Sequence, residues 1–146
     1  MMTKALLALL LLPASVSAGG SATVGGLDGK SLICEWIHDE PVVQWSDFRF
    51  DEAKVDMDDV SHYGTTAVIT TNYFGQYYEA PKTVSWGQSW VLDRQSLSIE
   101  ATISSDVHLK LQCEVAPTRD AYYKKLESLR LELQQEIDNA MRDNKI

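Results

Sequence analysis

Asp56, Asp58, Asp59 and His62 form the densest group of potential metal ligands in this chain. A calcium loop of the EF-hand kind starting at Asp56 needs Gly at its sixth position and Glu at its twelfth. Those positions hold Ser61 and Ala67. In strand geometry Asp56 and Asp58 share one face, opposite Val55 and Met57, which predicts a solvated outer face. The three histidines, His38, His62 and His108, have no zinc-like spacing to a second His or Cys. No metal ligand and no cofactor is assigned.

Nucleophiles and acid–base pairs are equally sparse. The chain has no G-x-S-x-G elbow, and both cysteines are better explained by pairing. Asp106 and His108 lie two apart and read as a polar pair on one side of a strand. Glu35 follows Cys34 and Glu114 follows Cys113, so a bond between the cysteines places both glutamates outward from neighbouring positions. Close carboxylates raise one another's proton affinity, as in glycosidases, but a convex face offers no cleft for a sugar. No catalytic residue is assigned, and the chain is expected not to be an enzyme.

Aromatic residues are the remaining candidates. Trp36, Trp45, Trp86 and Trp90 are expected to anchor a core. Tyr73, Phe74, Tyr77 and Tyr78 flank Gly75 within six residues, and alternation forces some of them outward. They form a candidate binding rim for a protein or glycan, against the plainer reading of cross-strand pairs on a solvated sheet.

The elements that must position these residues follow from period-two alternation between Ser31 and Ala116. Val107, Leu109, Leu111, Cys113 and Val115 interleave with polar residues, and Leu97, Ile99, Ala101 and Ile103 do the same. Further strands are expected over 32–37, 45–50, 54–60, 66–74, 77–80 with 83–86, and 90–93. Asp51-Glu52-Ala53, Tyr63-Gly64, Gly75, Pro81, Gly87 and Asp93-Arg94-Gln95 supply the turn signals. About eight short segments with tight links predict a mainly β fold, an antiparallel meander closed into a small barrel or sandwich over 31–117.

Cys34 and Cys113 permit one intrachain disulfide, closing a loop of about 80 residues worth about 4–5 kcal/mol on the chain-entropy view. Both fall on apolar faces, Cys34 with Leu32 and Trp36, so the bond would staple the first strand to the last.

After Pro117 the period changes. Thr118 suits an N-cap and Asp120 the first turn. Tyr122, Leu126, Leu129, Leu133, Ile137 and Ala140 form one helical stripe, and Asp138 and Arg142 stand i,i+4. The helix expected over about 118–143 is about 38 Å long, whereas small-barrel strands offer about 20–25 Å. The stripe from Tyr122 to Ile137 is therefore a candidate helix interface, for instance a coiled coil between copies, and Leu131 lies off it.

The first eighteen residues carry a charged start with Lys4, an apolar run from Ala5 to Leu12, and Val16-Ser17-Ala18. That pattern predicts a secretory signal peptide cut after Ala18, and a secreted or periplasmic product with no membrane span after cleavage. Residues 19–30, Gly-rich and aperiodic, read as a flexible N-terminal arm. Cleavage removes Lys4 alone among charged residues, so 12 basic residues would face 21 acidic ones, a charge of −9. Such acidity disfavours nucleic acid. A small exported barrel with one long-range disulfide is similar in plan to bacterial inhibitors of C-type lysozymes. The likeness covers architecture only; the inhibitory loop signature is absent, and no residue transfers.

Three functional expectations follow: a non-catalytic exported binding module, a structural protein oligomerising through its helix, and a hydrolase whose site assembles from scattered residues.

Overall fold

The computed structural model describes residues 26–37 and 46–144. The expected signal peptide, residues 19–25 of the expected arm, His38 and Trp45 lie outside them. Eight strands form a closed antiparallel barrel in chain order: β1 (Ser31–Trp36), β2 (Ser46–Asp51), β3 (Lys54–Tyr63), β4 (Thr66–Glu79), β5 (Thr83–Trp86), β6 (Trp90–Asp93), β7 (Ser98–Ser104) and β8 (Val107–Val115). One helix, α1 (Arg119–Asp143), follows.

Closure occurs between β1 and β8, where Cys34 stands opposite Cys113 and is disulfide-bonded to it. The interior is filled by side chains. Phe48 meets Trp86 edge-on at 5.3 Å, Phe50 meets Tyr77 at 5.3 Å, and Trp86 stacks on Trp90 at 6.3 Å. Leu32, Val84, Leu92, Ile99 and Leu111 complete this core, with Trp36 packed at its margin. Gly26 to Lys30, assigned by composition to the flexible arm, are instead tied to the barrel. Gly29 N–H donates to the Phe50 carbonyl, Phe50 N–H donates to the Lys30 carbonyl, and Leu27 packs on the core.

Two strands expected on either side of Gly75 are one. β4 runs through fourteen residues, and Gly75 (φ 81°) accommodates a bulge opposite Val55 and Asp56. Glycine takes this left-handed conformation without the steric cost a side chain would bring. β3 and β4 therefore make a hairpin far longer than the four-residue β5 and β6 beside it.

That hairpin answers the length mismatch of the helix. Thr118 caps α1 by accepting from Ala121 N–H, and Arg119 is fixed at one end by a two-pronged ion pair with Asp51, both contacts 2.8 Å. Tyr122 and Leu126 pack on Ile33, Ala116 and Val60 in a second apolar cluster, and Leu129 is buried as well. One turn later Gln134 reaches the hairpin tip. Its amide donates to the Thr65 carbonyl at 3.0 Å and accepts from Ala67 N–H at 2.8 Å. Beyond Gln134 only Ile137 is half-buried, and the other residues to Asp143 are exposed. The expected Asp138–Arg142 pair is replaced: Asp138 accepts from Gln134, and Arg142 donates to Asn139.

Gln134→Ala should cost about 1 kcal/mol in urea unfolding and speed hydrogen exchange of the Ala67 amide about tenfold. An unchanged Ala67 exchange rate would show that the side chain does not hold the strand edge.

Candidate functional site

Outward-facing positions on β2, β3 and β4 fall into rows set by the pairing register. One row runs Asp47, Asp58, Thr71; the next runs Arg49, Asp56, Tyr73. α1 lies over the first row and leaves much of the second to solvent.

The covered row overturns the expectation that Asp58 is solvated. Asp58 is 3% exposed and Asp47 is fully buried. Arg49 donates to Asp58 twice, at 2.6 and 3.2 Å, and Thr71 Oγ1 and Tyr122 Oη add bonds of 2.6 and 2.7 Å. Burial pushes the Asp58 carboxyl up, yet the hydrogen bonds from Arg49, Thr71 and Tyr122 outweigh it and hold it below the usual range. Asp47 occupies a different place. The β1–β2 ladder pairs only Ser31 and Leu32, and beyond it Asp47 Oδ1 accepts the N–H of Cys34 at 2.8 Å. Its Oδ2 is buried with no hydrogen-bond partner.

The four residues first grouped as metal ligands are split apart. Asp56 and Asp58 point outward, whereas Asp59 lies on the opposite face, accepting from Asn72 and Ser46. His62 is exposed at the hairpin end, its Nδ1 within 3.1 Å of the Gly64 carbonyl oxygen. Among the described residues no group of three or more His, Cys, Asp or Glu side chains is placed to hold a metal ion. Glu35 and Glu114 are exposed but stand opposite Gln112 and Ile33 rather than each other.

The aromatic rim divides. Tyr73 and Tyr78 are 80% and 66% exposed, with Gln76 on the same face between them. Phe74 turns inward to pack on Trp90 at 5.5 Å, and Tyr77 lies in the core. Burial pushes the Tyr77 hydroxyl up to about 12. The bulge causes this division. A simple count of two places Tyr77 with Tyr73, but the extra residue at Gly75 moves Tyr78 to that face instead.

Beside Tyr73, Asp56 is 3.6 Å from Arg49, whose guanidinium lies 6.0 Å from the ring of the half-exposed Tyr123. Two exposed tyrosines thus flank a partly solvated ion pair. Sequence reasoning missed Tyr123; the adjacent Tyr122-Tyr123 on one helix was the available signal, since only one of two neighbours can face a core. Of the candidate helix interface, Tyr122, Leu126 and Leu129 are buried on the chain's own barrel and hairpin, and Leu133 and Ile137 are half-buried.

No protein-family model, no curated protein and no solved structure matches this chain. No helix among the described residues is long and apolar enough to cross a membrane.

Proposed function

We propose that this protein is an exported, non-catalytic binding module. Its recognition face is the outer row Tyr73, Gln76 and Tyr78, continued by Arg49, Asp56 and Tyr123. The observation that carries this reading is the exposure of Tyr73 and Tyr78 on a strand whose neighbouring aromatics, Phe74 and Tyr77, pack into the core. Exposed tyrosines offer large contact area at small entropic cost, and the adjoining ion pair supplies donors and acceptors for a protein or glycan partner. The disulfide fits an oxidising compartment, in keeping with the predicted leader. The filled interior leaves the outside as the surface available for recognition.

Assembly through α1 is the second reading. It draws on the last turns, where Leu131 and Met141 are 54% and 53% exposed.

The test is retention of partners by immobilised protein from the host's exported fraction, run beside a glycan array. Tyr73→Ser with Tyr78→Ser should leave the melting temperature and circular dichroism unchanged and weaken binding about tenfold or more. Equal retention by the double variant removes the rim from the recognition face.

A further inference from the structure

The barrel is closed at β1 and β8, yet among the described residues β4 has a stretch of edge that no strand pairs. β5 pairs with β4 only through Tyr77, Tyr78 and Glu79. From Ile69 to Tyr73, no described strand lies on the side of β4 away from β3. Which main-chain groups face that side follows from the hairpin. Tyr63 and Thr66 flank the two-residue turn and bond to each other across the ladder, so alternate residues of β4 are directed toward β3. Ala67 points the other way, as its bond to Gln134 shows. By the same alternation Ile69, Thr71 and Tyr73 carry their N–H and C=O groups outward. Gln134 covers this edge at Thr65 and Ala67 and nowhere lower.

An open edge is a template for another strand, and proteins ordinarily blunt such edges with lysine, proline or a cover. Beyond the Gln134 cover, the stretch from Ile69 to Tyr73 has no lysine or proline. Gly64 to Tyr78 contains no charged residue, in a chain whose formal charge is −8. Val68, Ile69, Thr70 and Thr71 are β-branched, and Tyr73 and Phe74 follow. The neighbouring β3 has Lys54, Asp56, Asp58 and Asp59 in the same stretch of hairpin.

We infer that the edge from Ile69 to Tyr73 is a self-association surface, on which a second copy of this chain adds its own β4 antiparallel about a two-fold axis. Charge selects the occupant: two acidic copies repel over most of their surfaces, and this stretch lets them approach without a like-charge contact. Register selects the geometry. Outward-directed residues must face outward-directed residues, and a two-fold axis at the centre of the stretch makes Thr71 meet Thr71 of the second copy and Ile69 meet its Tyr73. The ladder is bounded by Gln134 at one end and the β5 pairing at the other. Tyr73 and Tyr78 remain on the outer face of the joined sheet, so dimerisation doubles the proposed recognition row rather than hiding it.

Sedimentation equilibrium of the purified protein up to millimolar concentration tests this directly. The native chain should show a monomer–dimer equilibrium, and Ile69→Lys with Tyr73→Lys should raise its dissociation constant about thirtyfold or more. Both side chains are solvent-exposed, and circular dichroism checks that the fold survives. Thr71→Cys should cross-link to itself under mild oxidation, seen by mass spectrometry as two copies of the peptide spanning that position joined by a disulfide, whereas Tyr73→Cys should not. Three results would each overturn the proposal: a monomer at every concentration, a dimer broken by Leu131→Glu with Met141→Glu but not by the edge lysines, or a monomer whose Ile69, Thr71 and Tyr73 amides are already protected from exchange.

Discussion

Replacing Arg49 with Met is expected to destabilise the fold by about 3–5 kcal/mol at pH 7, because it strands a buried carboxylate. Asp58 is 3% exposed and takes two of its four hydrogen bonds from this guanidinium. With Arg49 present, the folded-state pKa of Asp58 is lowered, so its contribution is present above the unfolded value and fades as pH falls through the folded one. Without Arg49 burial dominates and the sign reverses: the folded chain prefers the protonated acid, and the variant should recover part of its lost stability between pH 7 and pH 5. Adding Asp58→Asn to Arg49→Met should restore much of the loss, since the charge that lacked a partner is gone. The pair would then show strong coupling in a double-mutant cycle. Urea unfolding of the four proteins at pH 7 and pH 5 is the measurement. Additive losses that do not vary with pH would mean that Asp58 is hydrated and the helix does not seal this row.

How much of this could be read in advance depended on whether a residue's surroundings are local. The alternation through Leu109, Leu111 and Cys113 needs only a strand and a core, and it placed β8 and the disulfide correctly. The stripe from Tyr122 to Leu129 likewise needs only a helix and a surface to lie on. Asp58 is the opposite case. Its spacing from Val55 and Met57 marks an outward face in either event. Whether water or α1 covers that face is decided by where a helix about sixty residues later comes to rest. Tyr77 and Tyr78 exchanged faces because of one inserted residue at Gly75, and alternation counted across a bulge is wrong by one everywhere beyond it. The hairpin's reach past the short strands was hidden for the same reason, since Gly75 reads as a turn until the register shows a bulge. Candidate recognition residues were therefore legible by type, as an aromatic cluster, but not by direction.

Asp47→Asn is expected to stabilise the protein at pH 8 by about 2–4 kcal/mol and to change little at pH 4.5. The native carboxyl is raised to about 7 by burial, against the opposing Cys34 N–H, with Asp58 and Asp59 adding like charge and Lys125 on α1 partly offsetting them. A folded-state pKa above the unfolded value of about 4 means the folded chain retains a proton that the unfolded chain has released. Stability should then fall as pH rises from about 4 to about 7 and stay low above that. Asparagine keeps an oxygen for the Cys34 N–H and places an N–H₂ donor where Oδ2 now lacks a partner, beside the Asp58 carboxylate across the ladder. Asp47→Ala separates the two contributions. It removes the charge but leaves the Cys34 amide unmatched where the β1–β2 ladder ends, so it should gain less than asparagine at pH 8 and lose about 1–3 kcal/mol at pH 4.5. Unfolding free energies of the three proteins across this range decide the matter. A native chain equally stable at pH 5 and pH 8 would mean that Asp47 is ionised and paired throughout. The expected slope has a structural reason: this position must present an oxygen to the N–H of a half-cystine at the point of barrel closure, and the carboxyl that does so here is buried beside Asp58 and Asp59.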